Sequence, residues 1–307
     1  MLGKLLVLVV LAAGMGLAIQ RGGTCTVAAV EEIVTQRRAS QLRAMLLAAL
    51  WVAGLITLAR AAGWSMVEPG GYRVTALTIV GGALLGLGAW INGACAFGSV
   101  ARLGTGGWAY LATPLGFGLG ALMLPKLFAI APPSRLEGHS QLLDFPIAWA
   151  SALAVVAIWL LLSLWRARKA RTWTPAVATL VIGLCFVMIL LLTGGAWTWT
   201  DTVSELARGM GVAGGTLRLI LIVALFGGAI ASSIVAGSFK HQRLRAATVL
   251  RCFVGGLLMA AGSQLIPGSN DSLLLEGLPL FWPFAWLAFL SMCVTIALAI
   301  RITQVRG

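Results

Sequence analysis

The chain has 307 residues, of which 60% are hydrophobic and only 10% are charged, and its formal net charge is +13. Apolar runs near membrane-spanning length recur from end to end, and no soluble core could use so many, so the composition excludes a water-soluble protein. The basic residues form short clusters between these runs, which indicates contact with a lipid bilayer rather than with nucleic acid.

The apolar runs predict nine transmembrane helices. The first run would suit a signal peptide, but the residues after it, RGGTCTV, lack a clear cleavage site, so we expect it to remain as the first helix. The predicted spans lie near residues 3–19, 43–62, 73–91, 108–128, 146–165, 174–192, 214–237, 250–266 and 280–300. Because short loops rich in Lys and Arg stay in the cytoplasm, the basic clusters predict an external N-terminus and a cytoplasmic C-terminus.

Four of these runs are followed by a short polar segment. In chain order the segments are RGGTCTVAAVEEI, INGACAFGSVARLGTGG, TGGAWTWTDTVSELA and LIPGSNDSLLLEGLP. Their Gly, Pro, Asn and Ser residues free backbone groups that lipid cannot satisfy, so the segments must be buried in protein or line a wet cavity. We predict re-entrant half-helices that meet near the midplane. Since the N-terminus of a half-helix favours negative charge, the expected substrate is an anion.

The second half of the chain echoes the first at an offset of 174 residues. The segment GGALLGLGAWINGACAFGSVARLG corresponds to the residues from Gly255 on, and Cys95 aligns with Ser269. The basic loop at 37–43 corresponds to a nearly neutral loop, as an inverted repeat requires, because each half must obey the positive-inside rule from the opposite side. The predicted division is repeat 1 over residues 1–130, an external loop and linker helix over 131–172, and repeat 2 over 173–307.

Three motifs resemble the YeeE/YedE sulfur-transport family. They are an early segment with Gly23, Cys25, Ala28 and Glu31, the segment NGACAFGSVARLGTGG, and the late GSNDSLLLEGLP. The likeness covers essentially the whole chain, and it implies an inner-membrane protein with inverted halves and funnels that narrow from both faces. It further implies uptake of thiosulfate, passed along by cysteines at the constriction through S–H to sulfur hydrogen bonds. A small soluble sulfur-relay protein in the cytoplasm is the partner that the resemblance implies.

The resemblance also places a substrate site at the polar breaks. Cys25 and Cys95 fill the two cysteine positions of the first half, and Ser269 stands where a thiosulfate carrier would have a third cysteine. A hydroxyl is the stronger hydrogen-bond donor but is less polarizable than a thiol, so the choice of sulfur anion stays open. The expected substrate-binding residues are Cys25, Cys95, Ser269, Asn270, Gly93, Gly98, Ser99 and Gly268.

Some of these residues also have a purely structural interpretation. Ser269 and Asn270 could cap a short helix, and the glycines could serve only the backbone. The remaining cysteines lie inside plain apolar runs and are expected to be small hydrophobic residues of the core. These are Cys185, Cys252 and Cys293.

Charged residues in the polar breaks are further candidates for a role in transport. Arg102 aligns with Glu276, so the two could pair, or Arg102 could attract the anion while Glu276 or Asp271 carries a coupling proton. Equally, they could mark the ends of half-helices at the membrane interface. Asp201 is expected to favour a helix N-terminus.

Two other classes of protein fit the sequence. A membrane-embedded thiol enzyme would use Cys25 and Cys95 as a redox or persulfide-carrying pair, although the chain has no CxxC motif. The chain could also be a non-transporting subunit of a larger membrane complex. Neither a GxxxxGK[ST] motif nor Cys and His at metal-ligand spacing occurs, so we expect no nucleotide, metal or other cofactor.

Overall fold

The computed structural model describes residues 2–64, 67–128, 133–136, 138, 140, 144–167, 173–208 and 215–306. Within these residues the chain is helical apart from loops and one isolated antiparallel bridge between Tyr72 and Arg135. Eight helical segments there are long and apolar enough to span a bilayer. The prediction of an all-α polytopic membrane protein is therefore confirmed. Residues 131, 132, 137, 139 and 141–143 of the predicted 131–145 loop, and the basic segment 168–171, lie outside the described residues.

Six α-helices precede a central helix, and six follow it. The first six are α1 (Leu2–Gly22), α2 (Thr26–Gln36), α3 (Ser40–Ala61), α4 (Ala76–Asn92), α5 (Ala96–Gly104) and α6 (Ala112–Phe128). The central helix is α7 (Pro146–Ala167). The last six are α8 (Pro175–Thr193), α9 (Trp199–Ala207), α10 (Gly215–Val235), α11 (Ala246–Leu265), α12 (Asn270–Ser272) and α13 (Pro283–Arg306). A π-helical turn, Leu273–Gly277, continues α12.

Each predicted span corresponds to a long helix, although several bounds differ. The helix predicted from residue 73 begins at Ala76, because Thr75 and Thr78 form a reciprocal capping box at its start. The last helix begins at Pro283 rather than near residue 280, as expected for a residue whose fixed φ suits the first helical position. The four polar breaks each lead into one of the short helices α2, α5, α9 and α12.

The helices of the two halves follow the same order. The helices α8 to α13 start 170 to 175 residues after α1 to α6, and α7 has no counterpart. Their packing is also matched: α1 packs on α10 as α8 packs on α3, and α6 packs on α11 as α13 packs on α4. Such reciprocal contacts are what a two-fold relation between the halves would produce.

The crossing of α4 and α11 shows the same reciprocity at the level of residues. A Cβ added to Gly88 would lie 2.8 Å from the carbonyl oxygen of Gly255, and one added to Gly81 would lie 3.0 Å from that of Gly262. Adding the offset of 174 to Gly81 and Gly88 gives Gly255 and Gly262, so the two contacts are equivalent positions of the two halves. Small residues let the two helices approach closely without a hydrophobic force between them, which is how helices associate in lipid.

The bundle has two ends of different character. At the basic end, Arg21 Nε donates to Ser232 Oγ at 3.0 Å and the Lys240 N–H donates to the Thr105 carbonyl at 3.0 Å. The cavity end, where Arg60 pairs with Glu68 at 3.6 Å, holds an open cavity of about 610 Å³. Because α3 runs the length of the bundle to Arg60, its start and the basic residues just before it lie at the basic end.

Candidate functional site

Three buried residues stand immediately before short helices. Cys25, Cys95 and Ser269 precede α2, α5 and α12, and their relative exposures are 8%, 0% and 0%. None of the three side chains caps its own helix, so each is free to face a neighbour. Positive φ angles of 77° at Gly93 and 93° at Gly268 turn the chain just before α5 and α12, a conformation that favours glycine.

The two first-half cysteines lie side by side. Both thiols are free rather than joined in a disulfide. The backbone N–H of Thr26 donates to Cys95 Sγ at 3.2 Å, so the sulfur of one break satisfies a backbone donor at the start of the other. A Cβ at Gly98 would lie 2.5 Å from Cys25 Sγ, which explains the need for glycine there.

Asn270 ties the second half to this thiol pair. Its Oδ1 accepts a hydrogen bond from the Ala96 N–H at 3.0 Å, and its Nδ2 donates to Thr26 Oγ1 at 3.3 Å. Asn270 therefore caps α5 of the other half rather than its own helix. Three helix N-termini meet as a result at one buried point.

Ser269 differs from its neighbours because its hydroxyl has no partner. The Ser269 Oγ is buried without a hydrogen bond, as are Asp271 Oδ2 and the indole nitrogens of Trp197 and Trp199. An unsatisfied buried polar group costs roughly 1 to 3 kcal/mol, so each of these groups needs a physical reason. Trp199 aligns with Cys25 at the offset of 174, and sequence reasoning missed it.

Ser99 is occupied by structural bonds. Its hydroxyl donates to the Cys95 carbonyl at 3.0 Å and accepts from Asn92 Nδ2 at 2.9 Å. Asn92 also donates to the Ala94 carbonyl at 2.6 Å and accepts from Thr113 at 2.8 Å. Ser99 and Asn92 therefore hold the Cys95 turn in place, and the signal for Asn92 was its position inside the INGACAFGS motif.

A second polar cluster joins α9 and α12. The Thr200 hydroxyl donates to Asp271 Oδ1 at 2.5 Å, and both residues are almost fully buried. Asp201 Oδ2 accepts from Ser272 Oγ at 2.6 Å and from Thr198 Oγ1 at 2.8 Å. Asp201 does lie in the first turn of its helix, as expected, but it also belongs to this cluster.

The cavity opens onto the second cluster. Asp201, Ser272, Gly268 and Glu276 form part of its wall, and so do three arginines. The arginines are Arg135, Arg208 and Arg218. One of them, Arg218, forms an ion pair with Glu205 on the same wall.

Arg102 and Glu276 lie at opposite ends of the bundle. Arg102 is exposed in the last turn of α5, next to Thr105 at the basic end, whereas Glu276 faces the cavity. They therefore form no pair with each other.

Discontinuous helices with polar groups at the breaks, and a cavity that leads to them, define a membrane transport protein. The chain belongs to the sulphur transport family, whose model matches residues 21–298. This confirms the resemblance seen in the motifs.

Two relatives carry a name from transport rather than from enzyme chemistry. The thiosulfate transporter TsuA of Spirochaeta thermophila is 25% identical in an alignment 313 residues long, and the alignment covers 89% of this chain and 91% of that protein. The thiosulfate transporter TsuA of Escherichia coli strain K12 is 22% identical in an alignment 306 residues long, and the alignment covers 83% of this chain and 82% of that protein.

Proposed function

We propose that this chain takes up thiosulfate or a related sulfur-containing anion through a constriction between two inverted repeats, residues 1–130 and 173–307. The observation that carries the proposal is the meeting of the Cys25 and Cys95 thiols with Asn270 at one buried point. Helix N-termini there supply a partial positive charge, and the thiols supply soft donors that suit a sulfur atom. Ser269, whose hydroxyl is unpartnered, is the donor for an oxygen of the anion.

The cavity is the entrance for the anion. Its arginines raise the local concentration of anions, and its wall includes Gly268 and Ser272, which flank Ser269 and Asn270 along the chain. The positive-inside rule assigns the basic end to the cytoplasm, because Arg37, Arg38 and Lys240 cluster there. The N-terminus is then external and the C-terminus cytoplasmic, in the inner membrane. A soluble sulfur-relay protein would meet the cytoplasmic end.

A thiol enzyme is the second candidate, because the proximity of Cys25 and Cys95 would also suit a redox pair. An enzyme must form a disulfide between these residues, or a persulfide on one of them, during its cycle. Mass spectrometry of the protein trapped during uptake would detect it, whereas a passive relay leaves both thiols free. Uptake by the purified chain alone would exclude a non-transporting subunit.

The decisive test is exchange of radiolabelled thiosulfate by the purified chain in proteoliposomes. We expect the wild type to exchange thiosulfate and Cys95→Ala to lose this activity while folding normally, because removing one small buried side chain costs only about 1 kcal/mol. Cys252→Ala is the matched control, since Cys252 is also fully buried but packs among Ala109 and Ala112. Full exchange by Cys95→Ala, or no exchange by the wild type, would contradict the proposal.

A further inference from the structure

The strongest feature that the proposed function leaves unexplained is the carboxyl pair of the second polar cluster. Asp271 is 1% exposed, and its Oδ2 has no hydrogen-bond partner. Among the described residues, neither Asp271 nor Asp201 forms an ion pair. Asp271 is buried and Asp201 beside it is half-buried. A carboxylate buried without a counter-ion is costly, and such a group normally neutralises by binding a cation or a proton.

Hydroxyl groups connect the two carboxyls. Thr198 Oγ1 donates to Asp201 Oδ2 at 2.8 Å and lies 3.4 Å from Thr200 Oγ1, which donates to Asp271 Oδ1 at 2.5 Å. Only Asp201 touches the cavity, and Asp271 lies deeper, next to the Asn270 that binds α2 and α5. The row of four groups therefore runs from the cavity towards the thiol pair.

The spacing of these oxygens favours a proton over a metal cation. Hard cations hold oxygen ligands at roughly 2.4 Å, which keeps neighbouring oxygens roughly 3 Å or more apart. Here the carboxyl oxygens lie 2.5 to 2.8 Å from their hydroxyl donors, as in a closed hydrogen-bonded network. Such a network conducts a proton without moving a heavy atom far.

We propose that Asp201, Thr198, Thr200 and Asp271 form a proton relay that couples anion transport to proton movement. A proton from cavity water binds Asp201, and the Thr198 O–H, which donates to Asp201 in the resting state, turns towards Thr200. Asp201 then passes its proton to Thr198, Thr198 gives its own to Thr200, and Thr200 gives its own to Asp271. Each hydroxyl ends with one proton as it began, and one proton has moved from the cavity to Asp271. The neutral Asp271 then lowers repulsion of an anion bound beside Asn270. This inference rests on the proposed transport of an anion.

Other charged groups border the entrance of the relay. Glu205 lies on α9 and Arg208 directly follows it, Arg218 lies on α10, and Glu276 lies in the π-helical turn after α12. On the opposite side, α6 packs on α9 with Phe117 against Trp199, an apolar wall. At the inner end, the thiols of Cys25 and Cys95 are the titratable groups nearest to Asn270. These neighbours set the pH at which the relay works, but none of them bridges the two carboxyls.

The test uses the full chain in proteoliposomes with thiosulfate and two assays. Exchange at equal pH measures transport itself, and accumulation driven by an acidic exterior, with the membrane potential clamped at zero, measures coupling. For each coupled proton and each unit of pH difference, we expect the anion to accumulate up to about tenfold. A tenfold concentration ratio and one unit of pH difference correspond to the same free energy. Wild-type exchange without any response to pH, or accumulation driven by a sodium gradient at equal pH, would overturn the relay. Absence of wild-type exchange would instead contradict the proposed function.

Variants of the relay residues then test whether these residues couple anion transport to proton movement. Thr200→Val removes one hydroxyl from the relay, so it should keep exchange and lose acid-driven accumulation, whereas Thr200→Ser should keep both. Thr202→Val is the matched control, because the Thr202 hydroxyl is also buried on α9 but only donates to the Thr198 carbonyl at 2.8 Å. Asp201→Asn, which needs no change in packing, should behave as Thr200→Val does. Acid-driven accumulation by both Thr200→Val and Asp201→Asn at the wild-type level would refute the relay.

Discussion

Ser269 is the residue at which this chain departs from the cysteine pattern of its family resemblance. Its hydroxyl is buried without a partner at the start of α12, so the site pairs two soft sulfur donors with one free oxygen donor. Thiosulfate presents both a terminal sulfur and oxygens, whereas sulfite presents oxygens only. The identity of this one side chain should therefore influence the preference between them.

We expect Ser269→Cys to raise the preference for thiosulfate over sulfite. A thiol donates a weaker hydrogen bond to oxygen, and one net hydrogen bond contributes about 0.5 to 1.5 kcal/mol, so relative uptake should change by up to roughly tenfold. Uptake of the two anions is compared side by side for wild type, Ser269→Cys and Ser269→Ala. Identical anion ratios in all three would reduce Ser269 to a structural residue and leave Cys25 and Cys95 as the site.

The short helices are the elements that assemble the site, and their positions were largely predictable. Gly93, Gly268 and Pro267 are local signals that end a helix whatever surrounds it, so the sequence indicates the breaks. The hydrogen bonds that join one polar break to another were not predictable. Asn270 reaches Ala96 across 174 residues, and Thr200 reaches Asp271 across 71, and no local pattern encodes which distant groups meet. The same limit explains why Asp201 was expected only as a helix-terminal charge.

Close packing of α5 against the α2 break makes Gly98 sensitive to substitution. We expect Gly98→Ala to reduce thiosulfate exchange about tenfold or more, because its Cβ would lie 2.5 Å from Cys25 Sγ and overpacking of this kind costs about 1 to 3 kcal/mol. Gly227→Ala is the control, since a Cβ there meets no atom within 4 Å. Exchange rates are measured at equal amounts of reconstituted protein. Equal rates for the two variants would show that the thiol pair needs no such close approach.

The whole molecule is organised by the relation between its halves. The reciprocal glycine contacts between α4 and α11 and the paired packing of the other helices fit an inverted repeat. The offset itself could be predicted, because the glycine motifs recur and the charge bias reverses between equivalent loops. The separation of Arg102 from Glu276 follows from the same inversion, which carries equivalent positions to opposite ends of the bundle, and the expectation that the two could pair overlooked this.

Membrane topology tests this arrangement. Single cysteines introduced at Gln36 and Gln242, both exposed at the basic end, should react with an impermeant maleimide only from the cytoplasmic side. One introduced at Ser134, exposed at the cavity end, should react only from outside. The reason is the positive-inside rule, which assigns the basic end to the cytoplasm. Labelling of Gln36→Cys and Gln242→Cys from different sides would end the inverted-repeat arrangement.

Protection of the thiols by substrate is the most direct test of the site. Mass spectrometry can follow alkylation of all five cysteines in one reconstituted wild-type sample, with and without saturating thiosulfate. If the anion binds between the helix N-termini, thiosulfate should slow alkylation of Cys25 and Cys95 severalfold. Alkylation of Cys293, which is half-buried inside α13, should proceed at an unchanged rate. An unchanged rate at Cys25 and Cys95, or equal slowing at Cys293, would contradict a substrate site at the thiol pair.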